Sequence, residues 1–203
     1  MREWSWMAVA LVFAAGMNLS CRQEPEEDLF AKGETLYLDQ RYDDAIAVFK
    51  EFLLDNPGHA GAHFYLGTCY LSSEANAWLG IAQGELQTAL ALFERQGKVN
   101  PIPRFSSATY FELICHINQA KIYLNLMITL VESPPVWMRH VDPRAAMAML
   151  LEKCEEQYQA AKRVDPSSGD VEGLRRQIDV FRNALRLPAP SPDAPPAAVP
   201  QAV

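Results

Sequence analysis

Three times in this chain a small residue is followed four positions later by an aromatic ring, and the ring eight positions later by a proline. The sets are Ala45, Phe49 and Pro57; Ala89, Phe93 and Pro101; Cys154, Tyr158 and Pro166. Four positions is about one turn of an α-helix, so the small residue and the ring share a face. A small side chain there lets a second helix approach closely, and the ring fills the space beside the crossing. Proline then ends the helix, because it lacks an amide hydrogen and its ring collides with the preceding turn. One such coincidence carries little weight. Three in register predict a helical unit used repeatedly.

The opening half of each unit is also legible. Leu29, Lys32, Gly33 and Leu36 precede the first closing half, with Asp39-Gln40-Arg41 as the turn between them. His63, Leu66, Gly67 and Tyr70 precede the second, and Ala120 and Tyr123 the third. Gly33 precedes Ala45 by twelve residues, whereas Gly67 precedes Ala89 by twenty-two and Ala120 precedes Cys154 by thirty-four. The surplus in the second unit, around Ser72 to Gly84, keeps helical spacing through Trp78, Ala82, Leu86, Ala89 and Phe93. It predicts a longer second helix, N-capped near Ser72-Ser73. The surplus in the third contains Ser133-Pro134-Pro135, a break, and Asp142-Pro143, a cap followed by the proline favoured at a first helical position.

These residues resemble the tetratricopeptide repeat (TPR), whose signature is W-x2-L-G-x2-Y, then A-x3-F, then P. The resemblance covers roughly residues 29 to 166, with His63 in the Trp place and Lys32 in a Leu place. It implies an all-α, TPR-like helical-hairpin solenoid of about three hairpins, the second and third with extended helices. Gly169 to Leu187 is expected to close the array as a capping helix, completing a helical domain over residues 29–187. Val171, Leu174, Ile178, Phe181 and Leu185 form its apolar stripe, and Arg175, Arg176, Arg182 and Arg186 its solvated face.

Both ends read as non-globular. Trp6 to Met17 is an uncharged run of twelve after Arg2, which suits a signal peptide over residues 1–20. It ends at Asn18-Leu19-Ser20-Cys21, which resembles a bacterial lipobox with Asn18 in the usual Leu place. The resemblance implies that Cys21 is lipidated, leaving residues 21–28 as an acidic tether. Ordinary cleavage near Ala14-Ala15-Gly16 and an uncleaved anchor are the alternatives. Arg22 after the cysteine is compatible with outer-membrane sorting, so the expected location is exported, periplasm-facing and membrane-anchored. Residues 188–203 form a Pro/Ala-rich tail that cannot build a core.

Composition narrows the function. Apolar residues make up 49% of the chain and the net charge is −7, which describes a folded, acidic protein. Nucleic acid is a poor partner for such a chain, because phosphate binding needs clustered positive charge. Catalytic signatures and phosphate-binding glycine loops are absent from the sequence, which predicts neither an enzyme nor a cofactor. Cys69, Cys115 and Cys154 have no metal-site spacing and read as small buried residues. His59 and His63 are four apart, but His59 is expected to precede a helix start and His63 to fill a core position, so no metal is predicted.

Phe105 to Val131 is the most apolar helix. One stripe runs through Tyr110, Ile114, Ile117, Lys121, Leu124 and Ile128, and another through Phe111, Cys115, Ile122, Leu126 and Thr129. Such a helix is buried on two faces or keeps one for a partner. In TPR proteins the first helices of the hairpins line a concave groove. The resemblance places Phe30, Glu34 and Tyr37 there, then Phe64, Thr68 and Leu71, then Ile117, Lys121 and Asn125. Family members that grip a carboxylate use Lys and Asn where this chain has Phe30, Glu34, Phe64 and Thr68. The expected groove therefore holds an apolar or amphipathic protein segment, with Phe30, Tyr37 and Phe64 as solvent-facing anchors. The implied role is an adaptor or scaffold at the bacterial envelope, of the outer-membrane assembly, pilus or secretion accessory type. A structural tether between membrane and cell wall is the alternative.

Overall fold

The structure is a computed structural model and describes residues 26–73, 78–134, 136 and 143–185. The expected signal peptide, Cys21, Arg186 and the Pro/Ala tail lie outside the described residues. Seven α-helices and no strand occur among the described residues: α1 Glu26–Leu38, α2 Tyr42–Asp55, α3 Ala60–Ser72, α4 Leu79–Arg95, α5 Ala108–Glu132, α6 Pro143–Val164 and α7 Gly169–Leu185. The protein is all-α. Each helix packs on its neighbours in sequence, with lighter contacts between α1 and α3, α3 and α5, and α5 and α7.

The boundaries follow local chemistry. Helix α1 begins at Glu26, so the end of the expected tether belongs to the helix. The α1–α2 turn carries Gln40 at φ 60°, and α4 is followed by Gly97 at φ 76°, where glycine meets no steric penalty. His59 caps α3, its Nδ1 accepting from the Ala62 amide at 3.0 Å. Ser107 caps α5, its hydroxyl oxygen accepting from the Tyr110 amide at 3.0 Å. Pro143 is the first residue of α6, as expected. Ser73 does not cap α4. It ends α3 instead, its amide donating to the Cys69 carbonyl and its hydroxyl to that of Tyr70.

Helices meet where side chains are smallest. A Cβ added at Gly33 would lie 2.7 Å from the Phe49 ring, and one at Gly67 would lie 2.9 Å from Leu86 Cγ and 3.1 Å from the Ala82 carbonyl oxygen. The second contact corrects the expected register. The pair facing Gly67 is Ala82 and Leu86, in the same relation as Ala45 and Phe49 to Gly33. Ala89 and Phe93 lie two turns further along α4, where Phe93 packs on Phe111 of α5 with ring centroids 5.0 Å apart. In the third pair Cys154 Sγ lies 3.5 Å from the Ala120 carbonyl oxygen, so these two small residues do meet.

Two clusters form the interior. The first joins α1 to α4 and takes Phe111, Cys115 and Ile122 from α5. The second joins α5 to α7 and takes Leu113, Ile117, Ala120, Tyr123, Leu124 and Met127 from the other sides of α5. Helix α5 is thus shared, which accounts for its two apolar stripes. The expected solvated face of α7 is only partly so. Arg176 is exposed, but Arg182 is buried, with its guanidinium 2.6 Å from both Glu155 and Asp179. Arg175 reaches the same two carboxylates at 2.9 and 3.1 Å. Glu155 projects from α6 beside the buried Cys154, so the guanidiniums that neutralise it are drawn out of solvent.

Candidate functional site

The stripe Tyr110, Ile114, Ile117, Lys121, Leu124 and Ile128 of α5 forms one side of an open groove of about 740 Å³. Tyr37 of α1, Phe64, Thr68, Leu71 and Ser72 of α3, and Phe105 before α5 line it further. Asp170, Gln177, Val180 and Phe181 of α7 complete it. Of this stripe Tyr110, Lys121 and Ile128 stay exposed, while Ile117 and Leu124 sink into the second core.

Its floor is polar and fixed. Thr68 is buried; its hydroxyl donates to the Phe64 carbonyl at 2.8 Å and accepts from the Asn118 amide at 3.4 Å. Asn118 is also buried, so this pair ties α3 to α5 beneath the groove. Lys121 and Asn125 lie one and two turns further along α5. Lys121 is exposed, and among the described residues no carboxylate comes within ion-pair distance of it. Tyr37 is half-buried, its ring 5.1 Å from that of Tyr65, and burial pushes its hydroxyl up to about 12. It therefore stays a neutral donor at any ordinary pH.

The residues expected to line the groove divide into two groups. Tyr37, Phe64, Thr68, Leu71, Ile117, Lys121 and Asn125 come together around it. Phe30 and Glu34 do not. Phe30 packs into the first core against Phe49, Phe52, His59 and Tyr65, with centroids 4.6 to 5.9 Å apart. Glu34 accepts a hydrogen bond from the Tyr65 hydroxyl at 2.8 Å. Phe64 is no solvent-facing anchor either. It is 2% exposed, held by Tyr65, Phe105 and Phe111. The reason is that α3 is covered on nearly all sides, by α1 and α2 before it and α4 and α5 after it. The exposed rings and chains of the groove are instead Tyr110, Ile128 and Val180, and the first two belong to the stripe already legible in the sequence.

The other chemical groups are structural. His63 bridges α3 and α4, with Nδ1 2.6 Å from Glu85 Oε2 and Nε2 3.1 Å from the Pro57 carbonyl oxygen. Both partners are acceptors, so the imidazolium satisfies both. Burial alone would lower its pKa, but the bond to Glu85 and the Pro57 carbonyl outweigh that and raise it. Cys69, Cys115 and Cys154 are free and buried, and burial pushes all three thiols up, Cys69 and Cys154 to about 12. Among the described residues no three His, Cys, Asp or Glu side chains gather as a metal site requires. No described helix is long and apolar enough to cross a membrane. No protein family, no curated protein and no solved structure matches this chain.

Proposed function

We propose that this protein is a TPR-like adaptor that holds a segment of a partner protein in the groove along α5, and that it is exported and anchored at the bacterial cell envelope through a lipid on Cys21. The observation that carries the binding role is the part of the α5 stripe that stays exposed. A helix already buried in two cores still exposes Tyr110 and Ile128 along an open groove. Folding alone gives these side chains no reason to be apolar. Burying them under a partner returns roughly 25 cal/mol per Å² of apolar surface. Support for a TPR-like arrangement comes from the close contacts Gly33–Phe49, Gly67–Leu86 and Ala120–Cys154, which recur in three successive helix pairs. Support for the anchor is the apolar run that ends just before Cys21.

The test uses the exposed groove residues. Tyr110→Ala combined with Ile128→Ala should abolish crosslinking to the partner in intact cells while leaving helicity and Tm nearly unchanged. Leu54→Ala, at a still more exposed apolar residue of α2 outside the groove, should leave crosslinking intact. Equal crosslinking by both variants removes the groove from the account. For the anchor, Cys21→Ser should move the protein from the membrane to the soluble fraction, whereas retention at the membrane points to an uncleaved segment.

A further inference from the structure

Lys121 is the one cation among the residues lining the groove, and among the described residues no carboxylate pairs with it. An occupant that suits it is mostly apolar and carries one carboxylate. The chain itself contains such a segment. Residues 186–203 read RLPAPSPDAPPAAVPQAV, almost wholly proline, alanine and other apolar residues, with Asp193 as the one acidic side chain. We propose that this segment is the resident occupant of the groove, lying along α5 with Asp193 against Lys121, so that a partner must displace it. This deepens the reading of the groove as a docking surface and rests on it.

Direction and reach agree. His116 meets Gln157 and Ala120 meets Cys154, so α5 and α6 run antiparallel. Glu155 meets Arg182 while the Tyr158 ring meets Arg175, so α6 and α7 also run antiparallel. Helix α7 therefore runs in the direction of α5. Arg182 is level with Glu155, and hence with the middle of α5, so Leu185, one turn on, ends α7 at about the level of Lys121. Asp193 is eight residues beyond Leu185. At ~3.1 Å per residue in an extended proline-rich chain they reach about 25 Å, enough to turn from the end of α7 into the groove and bring Asp193 to Lys121.

The chemistry agrees as well. Proline fixes φ, so a proline-rich segment loses little conformational freedom on docking, and such segments suit grooves walled by aromatic rings. Tyr37, Phe105, Tyr110 and Phe181 supply rings here. Because the segment is tethered, even a weak intrinsic affinity fills the groove, at an effective concentration on the order of millimolar. The consequence is selectivity by competition, since weak apolar ligands are kept out.

The test places a spin label at Ala198→Cys in the full chain carrying Cys21→Ser; Cys69, Cys115 and Cys154 are buried. Amide signals of the groove face of α5 should broaden. Lys121→Glu should relieve the broadening, and adding Asp193→Lys should restore it. Separately, a synthetic peptide of residues 186–203 should bind a chain ending at Leu185, checked by its Tm, at least tenfold more tightly than it binds the full chain. Absence of broadening on α5, broadening indifferent to Lys121→Glu, or equal peptide binding by both chains overturns the proposal. If the tail shows no contact while Tyr110→Ala with Ile128→Ala still loses the partner, the docking groove stands and its resident occupant falls. If neither effect appears, both fall.

Discussion

The first core is filled with rings. Phe30, Phe49, Phe52, Phe64, Tyr65, Phe93, Phe105 and Phe111 form an almost continuous set of edge, tilted and stacked contacts from α1 to α5. The second core, from α5 to α7, is built of Leu113, Ile117, Leu124, Met127, Met147, Leu151 and Ile178 around the Ala120–Cys154 contact. Rings are rigid and need matched space, which Gly33 and Gly67 provide by letting helices close to near-backbone contact. Aliphatic and thioether chains adapt to their surroundings, so packing alone orients helices less strictly. In the second core the missing constraint is ionic: Glu155 of α6 holds Arg175 and Arg182 of α7. Shape fixes one half of the molecule and charge the other, and the groove runs along the helix they share.

The comparison can be broken most severely from the ring side. Phe64→Ala should cost about 3–5 kcal/mol, because it empties a ring-sized volume that its neighbours cannot close. A denaturation midpoint close to that of the parent chain would show that Phe64 is an anchor for a partner and not part of the core. Gly67→Leu should cost about 3 kcal/mol, since even a Cβ there lies 2.9 Å from Leu86. Glu51→Leu on the exposed face of α2 should stay within about 0.5 kcal/mol, and equal melting temperatures for these two would refute the close crossing.

Charge effects should be smaller. Glu155→Ala leaves Arg182 buried with Asp179 alone and should cost about 2 kcal/mol, less than a fully buried pair because Asp179 remains. Its loss should respond little to salt, and a strong salt dependence would mean that the network is solvated. The smallest effect belongs to His63. Its folded pKa is raised, so its contribution to stability is full below the ordinary imidazole range and disappears as pH rises through the folded value. His59 acts in the opposite sense: burial, the largest influence, lowers its pKa, and its capping Nδ1 must remain unprotonated. The difference in Tm between the parent and His63→Gln should therefore be largest near pH 5.5 and shrink toward pH 8. A constant difference would contradict a charged His63.

Much of this was legible in the residues. The proline start of α6, the buried cysteines and the two apolar stripes of α5 follow from local spacing, whereas the cap at Ser107 is shown only by the structure. Other features depended on what lies opposite. Leu86 takes the place expected for Phe93 because a branched aliphatic chain also packs on Gly67, while the sequence pattern favours the nearest ring. Phe30 and Phe64 sit at repeat-equivalent positions, yet neighbouring helices cover both, and spacing along one helix carries no information about its cover. Arg182 and Arg176 look alike in the sequence; only the position of Glu155 on another helix separates the buried one from the exposed one.

The three cysteines among the described residues are distributed over these regions. Cys69 lies in α3, Cys115 on the α5 face turned to the ring-filled core, and Cys154 in α6 at the aliphatic one. With their thiols pushed far above the ordinary range, none reacts as a thiolate until its own surroundings open. The protein thus carries native reporters of local opening in both halves, and their relative labelling rates tell whether the halves come apart together or in turn.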